Sequence, residues 1–168
     1  MSFKCLVLFV EGNDDQIFFE KIVQPLLENK GYHVQTYQYA REKRGKVNAY
    51  IKSINAMSTT DYLFWSDYND RSPCISARID GLIQTYRGLE REKIRIVIRQ
   101  IESWYLAGLN DDTCRKLKVP VLRDTNDVTK EMFDRLTPKK FSSRIDFMQE
   151  LLKHYDLAVA KQKNRSLH

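Results

Sequence analysis

The chain has 168 residues, of which 42% are hydrophobic and 30% are charged, a balance typical of globular rather than disordered proteins. No apolar run approaches the roughly 20 residues that span a bilayer, and the first residues lack a signal-peptide pattern, so we expect a cytoplasmic protein with no membrane role. Lys and Arg outnumber Asp and Glu by 28 to 22, and the net charge of +6 suits either a polyanionic partner or an ordinary basic protein.

The cysteines are few and widely separated. Cys5, Cys74 and Cys114 form no CxxC pair, so we interpret them as reduced thiols in a cytosolic protein. The three histidines are equally dispersed along the chain. This spacing argues against a zinc site.

Strand-like and helix-like segments alternate from the start of the chain. Residues 4–10 are almost continuously apolar, as in a strand that is buried on both faces of a parallel sheet. Apolar residues at helical spacing follow over residues 15–30. Within this segment Pro25 predicts a kink or a break, and Gly31 predicts the C-terminal stop.

The alternation continues through the next part of the chain. We expect strands at 32–39, 62–65 and 94–98, and helices at 47–57 and 74–87. Strands that alternate with helices of this length predict an α/β fold. The predicted architecture is a mostly parallel central sheet of about four strands, flanked by helices.

The pattern beyond residue 101 is helical. It is broken near Gly108 and around Pro120, and further helices are expected at 127–136 and 141–156. The last residues, 164–168, are typical of the start of a helix.

The expected organisation is one globular unit in two parts. An α/β domain over residues 1–108 carries a helical extension over residues 109–168, which packs on it. Lys139, Lys140 and Arg144 form a basic group within this extension, and we interpret it as the entry to a helix with exposed lysines.

Carboxylates follow three of the predicted strands. Glu11 comes directly after the first strand, Asp67 and Asp70 follow the third, and Glu102 follows the fourth. Open α/β sheets bind ligands outside the carboxyl ends of their strands, so these acids can converge. Clustered carboxylates repel each other unless they hold a cation, and oxygen ligands favour Mg²⁺ or Mn²⁺. The sequence therefore predicts a hard-metal site.

The acids near the first and third strands also have structural interpretations. Asp14 and Asp15 lie at a helix start, where they either cap backbone N–H groups or form the outer part of the metal site. Asp67 can share a metal with Asn69 or with Asp70, but the same segment is typical of an Asx-rich turn.

Glu102 lies among apolar neighbours, where a carboxylate needs a partner. The partner is either a metal ion or Arg99, which lies three residues earlier on the predicted helix.

Two segments carry a resemblance to a known domain. The run VLFVEG over residues 7–12, an acidic helix start and a strand followed by Asp67 and Asn69 resemble the Toprim domain. This domain occurs in topoisomerases, primases, small RNA-maturing nucleases and the OLD-family (overcoming lysogenization defect) nucleases. The run RQIESWYLA over residues 99–107 is similar to a Toprim-related bacterial family of unknown function. The resemblance covers about residues 4–108.

The resemblance implies a Toprim-like (Rossmann-like) fold and metal-dependent hydrolysis of phosphodiesters. By position, Glu11 is a metal ligand or general acid/base, Asp67 is a Mg²⁺ ligand, and Glu102 completes a second metal position. These three are the predicted catalytic residues. Asn69 and Asp70 are the remaining predicted metal ligands.

The chain departs from the pattern at two positions. Asn69 stands where the family has an aspartate, and Asp70 compensates if the chain slips by one residue. Gly108 stands where an acidic residue often follows the Leu-Ala pair.

Basic residues surround Gly45 after the second predicted strand, in a loop that should open beside Glu11. We expect this basic loop to contact nucleic-acid phosphates, and a solvated charged loop is the alternative. Arg99 is a further predicted phosphate contact. The basic loop comprises Arg41, Lys43, Arg44 and Lys46.

The sequence favours a Mg²⁺-dependent nuclease in phage defence or repair. The alternative is a catalytically degraded Toprim-like module that binds nucleic acid or a protein partner. A flavodoxin-like or nucleotide-binding domain is disfavoured because no glycine-rich phosphate loop occurs. The resemblance leaves open a partner ATPase and a homodimeric assembly.

Overall fold

The structure is a computed structural model that describes residues 4–68 and 72–167. The chain forms two compact units, Met1–Ile96 and Val97–His168. Within the described residues, no helix is both long enough and apolar enough to cross a bilayer. The three cysteines are free thiols, as expected.

A four-stranded sheet of order β2-β1-β3-β4 forms the centre of the first unit. Its strands are β1 (Lys4–Val10), β2 (Tyr32–Gln38), β3 (Thr60–Asp67) and β4 (Ile94–Val97). β1 runs parallel to both of its neighbours, with Phe9 opposite Tyr37 on β2 and Phe64 on β3. The α/β class with a parallel central sheet is confirmed.

Helices connect these strands, as the sequence predicts. They are α1 (Asn13–Phe18), α2 (Gln24–Glu28), α3 (Arg44–Asn55) and α4 (Ile75–Thr85). Phe19–Val23 form a π-helical turn between α1 and α2, and the helical backbone continues from there through Pro25 to Glu28. A π-helical turn directly before Pro25 is an irregularity expected where a proline removes an N–H from a helix. Gly31 follows α2 with φ of 88°, a backbone conformation that residues other than glycine rarely adopt.

The core of the first unit is rich in aromatic rings. Phe9 is fully buried on β1. Its ring centroid lies 5.3–5.8 Å from those of Tyr37, Tyr50, Tyr62 and Phe64. Aromatic pairs at this separation contribute about 0.5–1.5 kcal/mol each beyond their burial, so Phe9 is central to this core.

The second unit is helical. Its helices are α5 (Glu102–Ala107), α6 (Asp111–Leu117), α7 (Lys130–Leu136), α8 (Arg144–Lys153) and α9 (Leu157–Lys163). α5 is buried along its whole length and packs against α7, α8 and α9. The predicted breaks near Gly108 and Pro120 are confirmed, whereas α9 was not predicted. The predicted helix start at 164–168 is a single 3₁₀ turn, Arg165–Leu167.

A buried polar network joins the end of α9 to α5. The Asn164 side chain is 1% exposed, and its amide nitrogen donates to the hydroxyls of Ser103 and Thr125, at 3.1 Å each. Its amide oxygen accepts from the Ser166 hydroxyl at 2.7 Å, and the indole nitrogen of Trp104 donates to that hydroxyl at 2.8 Å. These buried polar groups therefore satisfy one another.

Replacing Phe9 with Ala should lower the free energy of unfolding by about 3–5 kcal/mol, because the cavity would lie among four aromatic rings. Urea denaturation followed by circular dichroism measures this change. Leu26→Ala is the control, since Leu26 is 44% exposed and its loss should change stability by no more than about 0.5 kcal/mol. Equal effects of the two substitutions would contradict the assignment of Phe9 to the core.

Candidate functional site

Glu11 lies at the carboxyl end of β1, where the end of β3 holds its carboxylate. Its Oε2 accepts hydrogen bonds from the backbone N–H of Asp67 at 3.2 Å and from the Ser66 hydroxyl at 3.4 Å. β1 and β3 are adjacent parallel strands, so their carboxyl ends share one edge of the sheet. The structure therefore brings together Glu11 and Asp67, two of the residues predicted from the sequence.

Arg78 on α4 belongs to the same edge, although the sequence analysis did not single it out. Its Nη2 donates to the Ser66 hydroxyl at 2.6 Å, and its Nε donates to the Asp67 carbonyl at 3.2 Å. The available signal was weak: Arg78 lies four residues before the buried Leu82, so a cation interrupts the apolar side of this helix.

Tyr39 follows β2 and is buried near Glu11. Burial raises the pKa of the Tyr39 hydroxyl well above its usual value, and the charge of Glu11 raises it further. The neighbouring Ser66 hydroxyl and the charge of Arg78 act in the opposite direction on this pKa. The Tyr39 side chain is therefore uncharged at physiological pH.

Tyr86 experiences the same charges from the end of α4. Burial is the main cause that raises the pKa of the Tyr86 hydroxyl, and the charge of Glu11 raises it further. The charges of Arg78 and Arg44 lower this pKa. The rings of Tyr39 and Tyr86 lie 5.5 Å apart, centroid to centroid. Arg44 is thus the member of the predicted basic loop whose charge reaches the surroundings of Glu11.

The basic loop is only partly a loop. Arg44 and Lys46 lie in the first turn of α3, and Lys43 is its N-cap. All four basic residues are exposed, and Lys46 pairs with Glu42 at 2.8 Å. The loop prediction is therefore wrong for Arg44 and Lys46, because α3 begins three residues before the first apolar position that marks it, Val47.

Gly12 and Asp15 form the start of α1. The backbone N–H of Gly12 donates to Asp15 Oδ2 at 3.0 Å, which confirms the capping interpretation of Asp15. Gly12 has an extended backbone, with φ of −147°, and a Cβ added there would lie 3.7 Å from Asp15 Oδ2. The fold itself therefore tolerates a side chain at position 12.

Glu102 lies in the second unit, where it pairs with an arginine. Its side chain is 5% exposed and forms an ion pair with Arg144, which also pairs with Asp134 and lies over the Phe133 ring at 5.0 Å. α8 begins at Arg144, and Lys139 and Lys140 are exposed, so the predicted helix entry with exposed lysines is confirmed, although the Arg144 side chain itself is only 21% exposed. The pairing spans 42 residues, so local sequence gave no signal for it.

Arg99 precedes α5 in an uncommon conformation. Its φ is 63°, in the left-handed region, and its guanidinium lies 3.5 Å from the Asp127 carboxylate. Glu102 forms an ion pair with Arg144, and the predicted pairing of Arg99 with Glu102 stays a prediction. Contact of Arg99 with nucleic acid stays a prediction.

Gly108 ends α5 against an aromatic ring. A Cβ at this position would lie 2.3 Å from the ring of Tyr155, so any side chain requires that ring to move. The Gly108 carbonyl also accepts from the Asp156 backbone N–H at 2.9 Å. Packing against Tyr155 therefore explains the departure at Gly108 from the acidic residue that the resemblance implies.

The predicted metal ligands are only partly described. Asn69 and Asp70 lie outside the described residues. Among residues 4–68 and 72–167, no group of three or more His, Cys, Asp or Glu side chains is placed to hold a metal ion. Glu11 and Asp67 alone would not complete a Mg²⁺ site, which needs further oxygen ligands, and a metal site at this edge stays a prediction.

No protein-family model matches this chain, and no curated protein sequence matches it. Among solved structures, the C-terminal region of the Burkholderia pseudomallei OLD protein is similar over 97% of this chain and 90% of that chain. The identity is 13% and the TM-score is 0.44, values that assign neither a family nor an activity.

Replacing Gly108 with Ala should lower the free energy of unfolding by about 1–3 kcal/mol, because the new methyl group overlaps the Tyr155 ring. Gly81→Ala is the matched control. Gly81 lies inside α4 with no atom within 4 Å of an added Cβ, so this change should raise stability by roughly 0.5–1 kcal/mol. Urea denaturation measures both, and equal stability of Gly108→Ala and the unsubstituted protein would contradict the packing.

Proposed function

We propose that this protein is a Mg²⁺-dependent phosphodiester-processing protein that acts on nucleic acid, most specifically a nuclease. The observation that supports this is the Glu11 carboxylate, held at the β1–β3 edge by the Asp67 N–H and the Ser66 hydroxyl. The Glu11 carboxylate and the Asp67 backbone meet there, where the carboxyl ends of β1 and β3 lie side by side and α/β sheets bind ligands. Oxygen ligands of this kind suit Mg²⁺ or Mn²⁺.

The proposed ligands are Glu11 and Asp67, with Asn69 and Asp70, which follow them in the sequence, as the remaining donors. Glu102 could act as a ligand only after its carboxylate leaves Arg144. A bound Mg²⁺ would neutralise phosphate oxygens and lower the pKa of a bound water. Catalysis is assigned to Glu11, Asp67 and Glu102 on this proposal.

The proposed nucleic-acid contacts are exposed at the start of α3, where long cationic side chains are accessible to a polyanion. They are Arg41, Lys43, Arg44 and Lys46, with Arg99 as a further contact. A cytoplasmic role in phage defence or repair, with a partner ATPase or a homodimeric assembly, belongs to the same proposal and comes from the Toprim resemblance.

Glu11→Gln should reduce metal-dependent cleavage by on the order of 10²–10⁴-fold, because an amide is a poorer metal ligand and proton acceptor. The assay follows single- and double-stranded DNA and RNA with Mg²⁺ or Mn²⁺. Glu28→Gln makes the same chemical change at an exposed position of the same unit and should leave the rate unchanged. Absence of cleavage on all four substrates would contradict the nuclease proposal.

Two further measurements distinguish an effect on metal binding from an effect on the stability of the fold. Titration with Mn²⁺, followed by electron paramagnetic resonance, should show binding that Glu11→Gln weakens. Gly12→Ala should retain the melting temperature, since the added Cβ makes only an ordinary contact. A loss of cleavage in this stable variant would indicate that substrate or metal approaches the backbone at Gly12.

A second candidate is a nucleic-acid-binding module without catalysis. The Glu102–Arg144 ion pair favours it, because that carboxylate already has a partner. If this candidate is correct, the affinity for nucleic acid should fall steeply between about 50 and 200 mM salt. Glu11→Gln should leave that affinity unchanged. Fluorescence anisotropy with labelled oligonucleotides measures both effects, and absence of binding at low salt would rule this candidate out.

A further inference from the structure

Arg78 is a partly buried cation whose partners are neutral. Its hydrogen bonds go to the Ser66 hydroxyl and to the Asp67 carbonyl, and no arginine ion pair among the described residues includes it. A guanidinium carries five N–H donors in a planar fork. Two of these donors are used here, so three remain for another ligand.

This arrangement is unusual for a purely structural arginine. A partly buried charge is normally compensated by an opposite charge, as Arg144 is by Glu102 and Asp134 in the second unit. Arg78 instead reaches the nearest carboxylate through a neutral link, since the Ser66 hydroxyl lies 2.6 Å from its Nη2 and 3.4 Å from Glu11 Oε2. Its charge is therefore uncompensated by direct contact with an acid.

The surroundings fit an anion rather than another protein carboxylate. Arg78 and Arg44 both act on the Tyr86 hydroxyl, so two positive charges border the same neutral ring. Arg44 lies at the start of α3, where the backbone N–H groups of the first turn add a partial positive charge. Two cations around one tyrosine suit a ligand that presents more than one phosphate.

We infer that Arg78 binds a backbone phosphate of a nucleic-acid strand at the β1–β3 edge, and that Ser66 is a positioning residue that orients its guanidinium. The guanidinium fork matches the geometry of two phosphate oxygens, which an ammonium cannot reproduce. Arg44 contacts the neighbouring part of the strand. This inference deepens the proposed function, yet phosphate binding by Arg78 does not itself require cleavage.

The test is oligonucleotide binding by the full chain in EDTA, so that no turnover occurs. Labelled single-stranded DNA and RNA oligonucleotides are titrated and followed by fluorescence anisotropy. Arg78→Gln should weaken binding of the preferred oligonucleotide by about 10-fold or more. It should also reduce the slope of log affinity against log salt concentration by the amount expected for one lost phosphate contact. Arg78→Lys should show an intermediate affinity, because it keeps the charge and loses the fork.

Arg95→Gln is the matched control. Arg95 is exposed in the same unit and donates to the backbone carbonyls of Glu92 and Ile94, so its loss removes one charge and similar hydrogen bonds. It should leave affinity nearly unchanged. Ser66→Ala should weaken binding in the unsubstituted protein but add little to Arg78→Gln, as expected for a residue that acts through Arg78.

The outcomes distinguish this inference from the proposed function. Equal affinities of Arg78→Gln and Arg95→Gln, or no oligonucleotide binding at all, would overturn the inference. Binding that depends on Arg78, without cleavage in Mg²⁺ or Mn²⁺, would support the inference and contradict the nuclease. If Arg78→Gln lowers the melting temperature, the affinity of Arg78→Lys is compared with that of the unsubstituted protein instead. Equal affinities of those two proteins would overturn the role of the guanidinium fork.

Discussion

The pairing of β1 with strands on both of its sides is the constraint on which the first unit depends. An almost continuously apolar strand can be stable only where both faces are covered and both edges are paired, and β1 meets these conditions between β2 and β3. Its carboxyl end therefore fixes where the chain emerges at Glu11. The same pairing brings the Asp67 backbone to that point, so the site is a consequence of strand register.

The two units use acidic and basic side chains in different ways. In the second unit, Glu102 and Arg144 form a direct ion pair, so each compensates the charge of the other. In the first unit, Glu11 and Arg78 are kept apart by the Ser66 hydroxyl, which contacts both. On the proposed function, the Glu11 carboxylate would serve the metal and the Arg78 guanidinium a phosphate, which two groups joined in a direct ion pair could not do.

Features that depend on neighbouring residues could be predicted from the sequence. The strand at β1 follows from its apolar run, and the stop at Gly31 follows from the conformational freedom of glycine. Features that depend on distant residues could not. Arg144 finds Glu102 across 42 residues, and only the packed structure places Tyr155 against Gly108. Arg78 lies 12 residues from Ser66, and its helical pattern indicated only an interrupted apolar side.

The buried Asn164 has a consequence for how α9 docks on α5. Apolar side chains tolerate small displacements along a helix interface, but an amide with defined partners does not. Its nitrogen reaches Ser103 and Thr125 only at one height along the helix. A slide of one residue would bring Lys163 or Arg165 to this place, and a long charged side chain could not replace the amide there. Asn164 thus fixes the register of α9 against α5, by selecting one alignment among several that would bury similar apolar area.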